Sequence, residues 1–248
     1  MVDLFPEYRT KYDIYLTICG FGMGNYKDDR MEEISTQGNG NYFYIDSEKE
    51  AEKVFVKDLR ANMFTIAKDV KIQVEFNPAE VKAYRLIGYE NRMLANEDFE
   101  DDKKDAGELG AGHTVTAIYE IIPANSDEEI PQTGELKYQQ TGLTKYASTG
   151  EIMTLKLRYK PIQSDKSILI EQIIYKKNVL TLSKTSDAFR FSASVAAFGM
   201  LLRGSKFIEN YGYDKVLELA KNSYNSKDEY QSEFLTLITK AKNLSEIK

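Results

Sequence analysis

Gly20, Gly22 and Gly24 alternate between a β-rich run and a helical one, a setting in which backbone N–H groups cradle phosphate. A dinucleotide fingerprint puts its third glycine one position later, where Asn25 stands, and no phosphate-loop lysine follows. Structural turn glycines are the favoured reading. A second group is the acidic loop Glu97, Asp98, Glu100, Asp101 and Asp102, with Asp105 and Glu108. Hard cations such as calcium take oxygens of this kind, but the spacing departs from an EF-hand and Lys103 and Lys104 intrude. A solvated charged loop is favoured. The only histidine, His113, follows Gly110-Ala-Gly112; with the acidic loop 97–112 it could serve a hydrolase. That chemistry needs an orienting carboxylate and a nucleophile, and no nucleophile is indicated. The only cysteine, Cys19, excludes an intramolecular disulfide, and in an apolar strand it reads as core packing. No catalytic, cofactor-binding or metal-ligating residue is assigned.

Several elements must hold these residues. Residues 14–19 are nearly all apolar or β-branched, the mark of a parallel strand buried on both faces. Asp28 or Asp29 can cap a helix through Met31 and Ile34, and Gly38-Asn-Gly40 stops it. Residues 41–45 form a second strand, and Ser47 opens a helix through Ala51, Val54, Phe55 and Leu59. Beyond Leu59 the pattern turns to period two. Val70, Ile72, Val74 and Phe76 alternate with Lys71, Gln73 and Glu75, as in a half-exposed antiparallel strand. Further strands are expected at 81–89, 113–122, 151–159 and 167–175, which suggests a β-sandwich. Three amphipathic helices follow, from Ser186 to Gly204, over 213–222 and over 228–243, expected to cover the sandwich. Two long loops, 97–112 and 124–150, remain.

The run GFGMGNYKDDRMEEISTQGNGNYFYID at 20–46 resembles the last third of a von Willebrand factor type A (vWA) domain. Residues 64–78, 84–92, 105–117 and 189–203 resemble the domain that follows vWA in a family of bacterial envelope proteins. The resemblance implies a Rossmann-like α/β remnant over 1–60, a β-sandwich-like domain over 61–183 and helices packed on it over 184–248. The fold class is therefore α+β. It also implies a place in the cell envelope. The cation of a vWA domain is held by an Asp-x-Ser-x-Ser loop, and that motif is absent, so no metal ligand carries over. Truncation is the plainer explanation. In the vWA strand order the two strands kept here are the outermost pair, whose inner edge would be bare. Two strands alone are marginally stable, and an open edge invites another strand. The remnant is expected to dock on the β domain, pair with a second copy or be loosely ordered.

Composition narrows the function classes. A net charge of −6 argues against a nucleic-acid partner. The longest apolar run, 195–202, is far short of the roughly 20 residues that span a bilayer. No secretion signal is read at the start of the chain. Seventeen tyrosines and twelve phenylalanines favour a binding surface, tyrosine being rigid with a polar tip. The reading is a non-enzymatic module that binds a protein partner or a second copy; the alternatives are the His113 hydrolase and a truncated product without independent function.

Overall fold

A computed structural model describes residues 12, 15–22, 27–38, 40–89, 93–130, 142–208 and 211–246. Ile14, Gly24, Asn25 and residues 131–141 of the second long loop lie outside the described residues. Helices and largely antiparallel sheets are mixed, an α+β protein. The chain divides into two compact units, each built from three separate stretches: 1–75, 94–115 and 154–172 in the first, and 76–93, 116–153 and 173–248 in the second.

The first unit opens with β1 (Ile18–Phe21), α1 (Asp28–Gln37) and β2 (Tyr42–Ile45). β1 and β2 pair in parallel, with Ile18 opposite Tyr42 and Phe21 opposite Ile45, as a two-stranded sheet. The return from α1 is tight. The Gly38 N–H closes the helix on the Ile34 carbonyl, and the Leu16 N–H donates to the Gly38 carbonyl at 3.0 Å. A Cβ on Gly40 would lie 1.6 Å from the Leu16 carbonyl oxygen, so only glycine fits there. Contrary to expectation, β1 starts at Ile18 and is not buried on both faces: Cys19 is half-buried and Phe21 is 62% exposed. Asp28 and Asp29 stand in the first turn of α1 without capping it by a side-chain bond.

Ser47 does cap the next helix, its Oγ accepting from the Glu50 N–H at 3.2 Å. That helix does not run unbroken to Leu59. It divides into α2 (Glu48–Glu52), a π turn (Lys53–Lys57) and α3 (Leu59–Met63). The Asp58 N–H reaches back five residues to the Lys53 carbonyl at 2.8 Å, which widens the turn.

A four-stranded sheet follows in the order β5-β3-β7-β8, from β3 (Thr65–Phe76), β5 (Gly107–Gly110), β7 (Glu151–Pro161) and β8 (Ile168–Tyr175). β5 was hidden in the sequence inside the long loop 97–112. Its ladder with β3 is irregular: Ala67 opposes Leu109 and Val70 opposes Gly107, leaving an extra residue on β3. Asp69, in that bulge, has φ +49°, a region non-glycine residues rarely adopt. The faces of β3 are also not those that its polarity implies. Lys71 is buried at 3% exposure, whereas Ile72 is 51% exposed. The layer over the Lys71 face is loop 97–105, whose carbonyl groups receive an ammonium better than a methyl group.

The second unit holds β4 (Val81–Ile87) paired antiparallel with β6 (Ile118–Pro123), Arg85 opposite Glu120. The strand expected over 113–122 therefore begins at Ile118. The turn before β4 is fastened by Asn77, whose Nδ2 donates to the carbonyls of Ala147 at 3.0 Å and Glu151 at 2.6 Å. Helices α4 (Asp187–Leu202), α5 (Tyr213–Lys221) and α6 (Glu229–Glu246) end the chain. Their apolar stripes meet one another. Val216, Ala220 and Ile238 are fully buried among Phe191, Phe198, Leu201 and Phe234. Phe198 and Phe234 pack edge to face at 5.4 Å, a geometry that adds about 0.5–1.5 kcal/mol beyond burial. Ser186 caps α4 through its Oγ, accepting from the Phe189 N–H at 3.1 Å. Ser186→Ala is expected to lower unfolding free energy by about 1 kcal/mol. Urea unfolding followed at the helical signal checks this, and an unchanged midpoint would deny the cap a role.

Candidate functional site

The richest polar constellation is the seat of the acidic loop in the first unit. Phe99 is buried and anchors the loop's apolar side. Beneath it, the Lys71 ammonium donates to the backbone carbonyls of Asp98 at 3.1 Å and Asp101 at 2.5 Å. From β7, Arg158 donates through Nε and Nη2 to Asp102 Oδ1 at 3.3 and 3.2 Å. The Ser167 hydroxyl donates to the same oxygen at 2.6 Å, and Lys160 donates to the Asp102 carbonyl at 2.7 Å. Lys160 also pairs with Asp69 Oδ2 at 2.6 Å, and the Ala106 N–H donates to Asp69 Oδ1 at 3.1 Å. Loop 97–105 is latched to the sheet along its length.

This seat decides the chemistry available to the acidic residues. Asp102 faces a guanidinium and a hydroxyl, Asp98 pairs with Lys104 at 3.0 Å, and Asp69 faces an ammonium. Among the described residues no three of His, Cys, Asp and Glu converge as metal ligands. His113 is exposed beyond β5, its backbone N–H donating to the Gly110 carbonyl at 3.0 Å. Of the loop's carboxylates, Asp98 is directed to Lys104, and Asp102 to Arg158 and Ser167.

The electrostatics follow from the pairing. Burial tends to raise the Asp69 carboxyl's pKa, but the Lys160 hydrogen bond, the Ala106 N–H and the Lys160 charge outweigh it and hold it low. The Ser167 hydrogen bond, with Arg158 behind it, does the same for Asp102 against its own desolvation. The Asp69 hydrogen bond raises the pKa of Lys160. Two carboxyls with depressed folded-state pKa values contribute stability that is complete above about pH 4 and lost as pH falls through those values. The urea midpoint is therefore expected to hold from about pH 5 to 7 and to drop below about pH 4, less steeply in Asp69→Asn. An equally steep acid limb in that variant would remove Asp69 from the account.

The glycine turn forms a second, separate place of interest. Gly20 lies inside β1 opposite Tyr44, and Gly22 has φ +85°. The Tyr44 hydroxyl donates to the Gly22 carbonyl at 2.9 Å, and the Tyr42 hydroxyl donates to Asp28 at 2.5 Å. These two tyrosines tie the turn and α1 to β2. Cys19 is half-buried, and burial pushes its thiol pKa up, away from the reactive thiolate.

The residues that sequence reading missed are the cations. Lys156, Arg158 and Lys160 alternate on one face of β7, a period-two row that signals a strand face seeking carboxylates. Each has one, in Glu75, Asp102 and Asp69. The rule that a charged loop is solvated hid the pairing.

Residues 61–244 match the family model described as "Uncharacterized protein YfbK, C-terminal". The chain belongs to the YfbK C-terminal family. The Uncharacterized protein YfbK of Escherichia coli (strain K12) is 38% identical over 247 residues, covering 99% of this chain and 42% of the relative. This YfbK-family chain thus spans less than half the length of the curated relative that it matches. No solved structure matches. No helix of the described residues is long and apolar enough to cross a membrane.

Proposed function

We propose that this chain is a non-enzymatic interaction module whose first 60 or so residues are the outer part of a larger vWA-type α/β sheet. The observation that carries this reading is the parallel pair β1–β2. Parallel strands occur almost only in larger sheets with both faces covered, and two strands alone are marginal. Here Phe21 and Tyr44 stay exposed, and among the described residues β1 pairs with β2 alone. Support also comes from the family model starting at residue 61 while the similarity to the relative continues through residues 1–60. A domain boundary near residue 60 fits both. The latched acidic loop favours binding over hydrolysis, because Asp98 and Asp102 are committed to cations. The envelope setting and the vWA origin belong to the same reading.

The test joins this chain to the segment that precedes the matched region in the E. coli relative and measures amide exchange. Residues 18–21 are expected to gain at least about a hundredfold protection over the chain alone. Unchanged exchange, with the added segment itself folded, would refute the shared sheet.

A further inference from the structure

We infer that the chain binds the surface of an anionic bilayer through residues 175–186, which set Val179, Leu180 and Leu182 among the lipid headgroups. This binding does not depend on the shared sheet. Every residue from Lys176 to Lys184 is exposed, without a break. Val179, Leu180 and Leu182 are 63%, 56% and 51% exposed. The segment nevertheless has a fixed shape, folded by two 3-10 turns at Lys176–Asn178 and Leu182–Lys184. The Lys176 N–H donates to the Gly150 carbonyl at 2.9 Å, and the Val179 N–H to the Lys176 carbonyl at 3.1 Å. The Lys184 N–H donates to the Thr181 carbonyl at 2.9 Å, and the Thr185 hydroxyl to the Leu182 carbonyl at 2.7 Å. Backbone groups already bonded need no water, which lowers the cost of entering a headgroup layer. A fixed shape also leaves little ordering entropy to lose on binding.

The chemistry around these aliphatic side chains identifies the occupant. Residues 175–186 hold three lysines and no acidic residue, in a chain whose net charge is −6. The Gly150 contact brings in the 3-10 turn Lys145–Ser148, where Tyr146 is 60% exposed. The Lys145 ammonium lies 5.2 Å from the Tyr146 ring, and the Lys177 ammonium 5.3 Å from the Tyr175 ring. Tyrosine and lysine both suit a headgroup layer, with an apolar body inward and a polar tip outward. Glu80 balances Lys176 at 2.7 Å; Lys145, Lys177 and Lys184 supply the attraction to lipid phosphate. A protein groove fits less well. Val179 and Thr181 have extended backbone, so successive side chains project to opposite sides. A rigid groove that received Leu180 and Leu182 would leave Val179 outside, whereas a fluid layer surrounds all three.

Flotation of the whole chain with vesicles tests this, using phosphatidylcholine alone and phosphatidylcholine with about 30% phosphatidylglycerol. Binding is expected only to the anionic vesicles, and it should fall away in about 0.5 M salt. Leu180→Gln with Leu182→Gln is expected to weaken it at least about tenfold, and Lys177→Gln with Lys184→Gln about tenfold. Lys221→Gln with Lys240→Gln removes the same charge from α5 and α6 and is expected to change nothing. Leu180→Trp supplies the only indole in a chain without tryptophan, and its emission is expected to move to the blue on anionic vesicles. A folded chain that floats with neither vesicle would overturn the proposal and hand the patch to a protein partner. Equal binding to both vesicles, indifference to the leucine pair or an unmoved indole emission would overturn it too. So would equal losses in the two lysine pairs, because net charge alone would then be acting.

Discussion

Asp69→Ala lowers the unfolding free energy by about 3 kcal/mol in our account, one of two large expected effects in the first unit. The side chains of Lys160 and Asp69 are only 14% and 15% exposed, so water does little for whichever partner is left alone. Removing the carboxylate leaves the ammonium with the Asp102 carbonyl but without its counter-charge, and takes the acceptor from the Ala106 N–H. Alanine would also inherit φ +49°, a left-handed conformation that costs it about 1 kcal/mol. Asp69→Asn separates these contributions: asparagine tolerates that φ and keeps one acceptor for the Ala106 N–H, losing the charge and the hydrogen bond from Lys160. About half the loss is expected for Asn, read by urea unfolding at neutral pH. Equal losses for Ala and Asn would mean that the charged contact with Lys160 alone is at work, and no loss for either would show the latch to be decorative.

Gly110→Ala is expected to cost about 3 kcal/mol or more, because a Cβ there would lie 1.7 Å from the Ala61 carbonyl oxygen. That oxygen belongs to the backbone of α3, so relief requires moving α3 away from β5. Gly107, at the other end of the same strand, supplies the control. A Cβ at 107 meets nothing within 4 Å, and Gly107→Ala is expected to change stability by under about 1 kcal/mol. Thermal unfolding of the two variants side by side checks the contrast. Two equally mild variants would show that α3 and β5 do not approach as described.

The contrast between these glycines also shows what was legible in the sequence. Elements with their own local signal were read from it: β4, β7, β8 and the three C-terminal helices, with Ser47 and Ser186 as helix starts. Period and capping are local physics, carried by neighbours along the chain. β5 was missed because Gly-Glu-Leu-Gly holds no β-branched residue, and its partner β3 lies about 40 positions away. Likewise, the expected strand start at His113 failed because a period-two pattern persists into residues 113–117 without a ladder to join. The inverted burial of Lys71 and Ile72 depends on which loop covers β3, a tertiary fact. The same holds for the latch: Arg158 and Asp102 are 56 residues apart in sequence. A solvated-loop rule has no access to such pairs.

The parallel pair was legible as two strands and a glycine-stopped helix. The proposal that this pair belongs to a larger sheet is the point on which the whole functional reading turns. Native-state hydrogen exchange on the chain alone tests it most directly, comparing residues 18–21 and 42–45 with 216–220 and 234–238. Amides of the parallel pair are expected to open through local fluctuations and exchange orders of magnitude faster than those of the helical core. Protection in β1 and β2 equal to that of the helical core, in a monomer, would show the two strands to be a finished structure and contradict the account.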